Sequence, residues 1–165
     1  MDQEKEFPKR KSTRLKNFDY STTGAYFVTI CTKDRKMLFA PVGADSISAR
    51  MIERTFLETI GQYDGVDSPI YVVMPNHFHA FITISRADME SAPTLSEIIQ
   101  SFKRYSTVEY TKIVKDGKLP PFDKQIWQRS FHDHVIRDKN DYNKIAKYIH
   151  ENPAVWQYDC FYTED

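Results

Sequence analysis

The sequence predicts an α+β fold, an antiparallel sheet with helices packed on it. Three observations carry this. Segments rich in β-branched and aromatic residues alternate with segments whose apolar residues recur at helical spacing. Their order reads β, α, β, β, α, β, α. Two of the strand-like runs are separated only by the turn-prone pair Pro75 and Asn76, which marks a hairpin.

The first strand is AYFVTICT, Ala25 to Thr32, entered from the chain-breaking Gly24. After a loop, Ile47, Met51, Ile52, Phe56 and Ile60 recur as one face of a helix that runs from Ser46 to near Gly61. The hairpin follows, Ile70 to Met74 and then His77 to Ile84, with Val72, Val73, Phe81 and Ile84 marking it as central and rigid. Thr94 with Glu97 three residues on is the capping-box pattern, opening a helix to about Tyr110 whose Leu95, Ile98, Ile99 and Phe102 face the core. A Gly and Pro-rich loop leads to IWQRSFHDHVIR, whose second half alternates like a strand, and Trp127 there reads as a core or docking residue ahead of a base-stacking platform. Tyr142, Ile145 and Ile149 form the stripe of a last helix from Lys139, closed by Pro153. Helices on one face of an antiparallel sheet in this order match the split βαβ arrangement of ferredoxin-like and RRM-like folds.

The chain of 165 residues has the length of one compact domain with one core and one active site. Hydrophobic residues at 41% and charged residues at 28% exclude a disordered or fibrous class. The aromatic share, 14%, suits base stacking as well as core filling. A formal charge of zero argues against coating duplex DNA by net attraction. The charge is unevenly spread, however: Lys9, Arg10, Lys11, Arg14 and Lys16 form a run without acids, so residues 1–23 read as a basic arm and 24–165 as the domain. Such a run is a solvated arm or a phosphate-binding one. Cys31 and Cys160 lack metal or scaffold spacing and read as free thiols of a reducing compartment. The first thirty residues have no signal-peptide core, and no apolar stretch approaches the roughly twenty residues of a membrane helix. We expect a soluble, cytoplasmic protein with no membrane partner.

The chemistry concentrates in two places. Side chains two apart on a strand share a face, so His77 and His79 present both imidazoles to one side while Phe78 turns to the other, as two ligands of one metal require. The bland alternative is one histidine satisfied in the core and one exposed. His132 and His134 repeat the spacing on the last strand, and the four together are the ingredients of a structural zinc site, although such sites normally include thiolates. On the last helix Tyr148 flanks the buried stripe, and Asn152 lies four residues on, on the same flank. This is either an amphipathic boundary or a phenol nucleophile beside a third metal ligand.

Taken together, RLKNFDYSTTGAYFVTICTKDRK, VVMPNHFHAFI, IIQSFKRYS, WQRSFHDHVIR and DYNKIAKYIHENP resemble the HUH single-strand nucleases, and within them the single-tyrosine transposases of the REP-associated type. The resemblance spans nearly the whole chain. It implies that His77 and His79 hold Mg or Mn, that Asn152 is the third ligand with His150 and Glu151 as alternatives, and that Tyr148 is the nucleophile. It also implies cleavage of single-stranded DNA next to hairpins through a 5′-phosphotyrosine, followed by strand transfer, in a monomer or homodimer. Phosphate contacts would come from the basic arm and from Lys103, Arg104, Arg129 and Arg137, each of which reads equally as a solvated charge. The rival readings are a hairpin-binding module without chemistry and a metal phosphoesterase that activates water.

Overall fold

The computed structural model describes residues 23–39, 46–85 and 93–163, so the basic run at Lys9, Arg10, Lys11, Arg14 and Lys16 lies outside the described residues. Among the described residues four strands form one sheet: β1 (Gly24–Cys31), β2 (Val66–Met74), β3 (His77–Ile84) and β4 (His132–Ile136). Their order is β2-β3-β1-β4, and every neighbouring pair is antiparallel. Helix α1 (Ile47–Ile60) crosses from β1 to β2, and β3 inserts between those two strands, which makes the split βαβ unit. Helices α2 (Leu95–Lys115) and α3 (Lys139–Glu151) flank β4 in the chain. No helix among the described residues is long and apolar enough to cross a membrane.

Local signals act where they were expected to. Ser46 caps α1, its hydroxyl accepting from the Ala49 N–H at 3.1 Å. Thr94 and Glu97 close the reciprocal box at the start of α2. This helix continues past the expected end near Tyr110 because Ile113 and Val114 still find the core. Trp127 is buried and donates its indole N–H to Ser106 Oγ at 2.9 Å, which settles it as a core residue. Gly65 turns the chain into β2 with φ +72°, and a Cβ there would stand 2.4 Å from the Ser85 carbonyl oxygen.

Two expectations need correction. The hairpin is not central: β2 is an edge strand, and the inner pair is β1 and β3. Pro69, which has no N–H to offer a ladder, fits such an edge, and the register shift between Asp67 and Ile70 lies around it. Nor do the helices share one face. α1 and α2 pack Ile52, Phe56, Ile98 and Phe102 onto Val28, Ile30, Phe78, Ala80 and Ile82. α3 crosses to the opposite face, where Ile145 and Ile149 sit on Phe81 with Phe27, Ile70 and Val72 around them. The strand period explains the split, since successive β3 residues alternate between faces and the central strand is covered on both.

Candidate active site

The face carrying α3 is also the face to which β3 turns His77 and His79. Both rings are fully buried, and their Nε2 atoms are 2.9 Å apart. Two nitrogen ligands at about 2.1 Å from one ion and at right angles to each other would stand about 3 Å apart, so this spacing suits a shared cation. Each ring is held from its other nitrogen: His77 Nδ1 meets Asn76 Oδ1 at 2.8 Å, and His79 Nδ1 meets Thr29 Oγ1 at 2.8 Å. Thr29 can do this because it is the register partner of His79 on β1.

Helix α3 starts at the Asp138 cap and is anchored by Ile145 and Ile149, which leaves Tyr148 at the border of its buried stripe, 38% exposed. Tyr148 Oη lies 3.4 Å from His79 Nε2 and donates to Asp159 Oδ2 at 3.0 Å. The Tyr148 ring meets Phe27 edge-on. Asn152, one turn beyond, is buried and donates its amide to the same carboxylate oxygen, while its own Oδ1 is buried without a hydrogen-bond partner among the described residues. His77, His79 and Asp159 each offer a ligand atom within 4.8 Å of the others, a set compatible with a divalent metal.

Beyond α3, a 3₁₀ segment (Asn152–Tyr158) and the residues after it fold back over the histidines. The Trp156 and Phe161 rings lie 5.5 and 4.9 Å from that of His77. Arg35 holds its guanidinium over Phe161 and donates to the Cys160 carbonyl at 3.3 Å.

This burial governs the electrostatics. Desolvation pushes His77 down to about 4, with the Asp159 charge opposing it, and desolvation aided by the charge of His77 carries His79 well below its usual value. Both rings are therefore neutral at pH 7. Burial and then the hydrogen bond to Asp159 raise the Tyr148 phenol above its ordinary value, so it stays protonated at neutral pH. Burial works to raise Asp159, but the Phe161 N–H, the Asn152 amide and the Tyr148 hydroxyl bring it below the usual carboxylate range.

The structure thus brings together His77, His79, Tyr148 and Asn152. His150 and Glu151 are exposed, with Glu151 3.8 Å from Lys147. The second histidine pair stays apart: His134 bonds Asp141 at 2.7 Å, and His132 is exposed with its ring 6.2 Å from Phe161. Arg104, Arg129 and Arg137 are exposed. Lys103, named among the phosphate contacts, is half-buried. Its ammonium donates to the carbonyls of Gln128, Arg129 and Ser130 at 2.9, 3.3 and 3.1 Å, which uses all three of its donors to clamp that loop. Burial draws it down to about 8. Asp159 and Arg35 were missed by sequence reasoning; each lies outside any periodic segment and reaches the site only through the fold of the chain.

Comparison with known proteins identifies relatives of the whole chain. Residues 20–152 match the family model described as Transposase IS200 like. A Haemophilus influenzae protein of uncharacterized function is 27% identical over 94% of this chain and 94% of its own length. A second protein of that organism, whose name assigns it provisionally to the REP-associated tyrosine transposases, is 24% identical over 88% of this chain and 84% of its own. A solved structure of a REP-associated tyrosine transposase bound to a REP hairpin superposes with a TM-score of 0.62 at 21% identity, covering 88% of this chain and 76% of the other. A tyrosine beside paired histidines on a split βαβ sheet, together with a family match over most of the sequence, leads to one conclusion: the chain belongs to the IS200-like transposase family.

Proposed function

We propose that this transposase-family protein is a divalent-metal-dependent single-strand DNA endonuclease and strand transferase that cuts beside DNA hairpins, with Tyr148 as its nucleophile. The observation that carries the reading is the approach of Tyr148 Oη to 3.4 Å from the Nε2 of a buried histidine pair. His77 and His79 supply two neutral nitrogen ligands, and the carboxylate of Asp159 and the unpartnered Oδ1 of Asn152 are the oxygen donors beside them. A bound Mg or Mn ion would polarise the scissile phosphate and offset the charge that develops on it.

The chain's own residues do the rest. Tyr148 Oη forms a bond to phosphorus as the bond from phosphorus to the 3′ oxygen breaks, leaving a 5′-phosphotyrosine and a free 3′-OH. The phenol proton already points at Asp159 Oδ2, which is placed to accept it, and the leaving 3′ oxygen takes its proton from solvent. A 3′-OH from another strand reverses the step and is thereby joined, so no energy source is consumed. The meeting of Tyr148 and both histidines within one chain supports a site completed in cis, in a monomer or in each subunit of a homodimer. The basic arm and the exposed Arg104, Arg129 and Arg137 are the phosphate contacts for the hairpin.

The test is an adduct assay on the full chain with single-stranded hairpin substrates and Mn. A covalent protein–DNA species should form, and be absent in Tyr148→Phe and in His77→Ala. Cleavage that survives Tyr148→Phe would establish the water-using phosphoesterase instead. Hairpin binding indifferent to metal, without any adduct, would establish the binding module.

A further inference from the structure

Asn76 closes the two-residue turn between β2 and β3, a place where a polar side chain ordinarily meets solvent. Here it is completely buried. Its amide nitrogen donates to the Phe161 carbonyl at 2.9 Å, to the Arg35 carbonyl at 3.3 Å and to Thr163 Oγ1 at 3.3 Å. Two of these three partners are carbonyls that can only accept, which assigns the carboxamide: nitrogen toward the C-terminal residues, oxygen toward His77. The main chain is held as well, since the Asn76 carbonyl accepts from the Thr32 N–H and Thr32 Oγ1, both at 2.9 Å.

We infer that Asn76 is a positioning residue that sets the tautomer of His77 and ties the ligand strand to the chain segment bearing Asp159. The oxygen of a carboxamide cannot donate. At 2.8 Å from His77 Nδ1 it therefore requires the ring proton to be on Nδ1. His77 Nε2 is left as a lone pair, turned toward His79 Nε2. The other end of the same carboxamide grips the backbone at Phe161, two residues past Asp159, whose Oδ1 accepts from the Phe161 N–H at 2.7 Å. One side chain thus prepares a nitrogen to ligate and delivers the carboxylate that stands next to it. The use of that lone pair for a metal rests on the proposed function; the tautomer does not.

The tautomer is read on the metal-free full chain by long-range ¹⁵N–¹H correlation of the imidazoles. Wild type should show His77 protonated at Nδ1. Asn76→Asp, which keeps an acceptor and loses the donors, should retain that pattern, and Asn76→Leu should lose it. With Mn(II) alone as the probe, Asn76→Leu should bind about 10- to 100-fold more weakly, the usual effect of removing a ligand's hydrogen-bond partner. Asn76→Asp should stay within a few-fold of wild type. Amide exchange at Phe161 should accelerate in both variants, because loss of the donor to its carbonyl loosens the segment in which its N–H bonds Asp159. An Nε2-protonated His77 in wild type overturns the inference without any substitution having to fold. So does an Asn76→Leu protein with wild-type tautomer and wild-type Mn affinity. Wild type that shows the Nδ1 tautomer yet binds no Mn sustains the role of Asn76 and removes the metal from the proposed function.

Discussion

The two faces of this sheet are built from the same strands and do opposite work. On the face under α1 and α2, β3 contributes Phe78, Ala80, Ile82 and Ile84 to a continuous apolar core in which Phe56 and Phe102 are fully buried. On the face under α3 the same strand contributes Phe81, which anchors Ile145 and Ile149, and then His77 and His79. There the apolar cluster is small and gives way to buried polar groups that bond one another, with Asn152 Oδ1 left unpartnered among the described residues. The difference teaches that strand parity can keep stability and chemistry apart at a spacing of one residue: one face supplies burial energy, and the other can hold desolvated imidazoles because its neighbour is already folded.

This division can be broken by experiment, and the largest effect belongs to the chemical face. Tyr148→Phe should abolish the covalent DNA adduct while shifting the melting temperature little, since the hydroxyl alone is removed and the ring can keep its edge contact with Phe27. A large loss of stability together with lost activity would show that the two faces are not separable.

Phe102→Ala, on the opposite face, should cost about 3–5 kcal/mol of stability, the usual price of an aromatic deleted from a packed core. Denaturant unfolding would measure it. If the folded fraction retained full adduct formation per molecule, the division would be sharpened; a variant that stays folded yet inactive would contradict it.

The third test uses pH on metal-free protein. The folded His77 value, about 4, lies below the ordinary 6.5 because burial opposes the charge. Between those values the unfolded chain binds a proton that the folded chain refuses, so stability rises with pH across the window and is lost as pH falls through it. Melting temperature should therefore decline from about pH 6.5 toward pH 4, and His77→Gln should flatten that decline. An unchanged slope in the variant would assign the acid sensitivity to other groups.

The smallest effect is at the edge of the apolar face. Thr94→Ala removes the hydroxyl that accepts from the Glu97 N–H and should cost about 1 kcal/mol with no change in adduct yield. Urea titration alongside the adduct assay checks both parts.

Much of the site was legible before any tertiary contact was known, because the relevant geometry is local. A repeat of two along a strand places His77 and His79 on one face whatever else the chain does. A repeat of 3.6 places Tyr148 beside the stripe of Ile145 and Ile149, with Asn152 one turn on. The Thr94–Glu97 box and the Pro75–Asn76 turn are likewise short-range devices, and they appear where their residue types require.

What the tertiary structure alone decided is how these local pieces meet. Neither period says which side of the sheet a helix covers, so the placement of α3 opposite α1 and α2, which brings Tyr148 to the histidines, depended on where apolar surface remained to be buried. Lys103 resembled a surface cation until the 127–131 loop wrapped its ammonium in three carbonyls. Asp159 carries no periodic signal, and its arrival beside His77 depends on a chain reversal held by Asn76, far away in sequence. Local sequence sets the direction in which a side chain leaves its own element; only the packing of distant surfaces sets what it finds there.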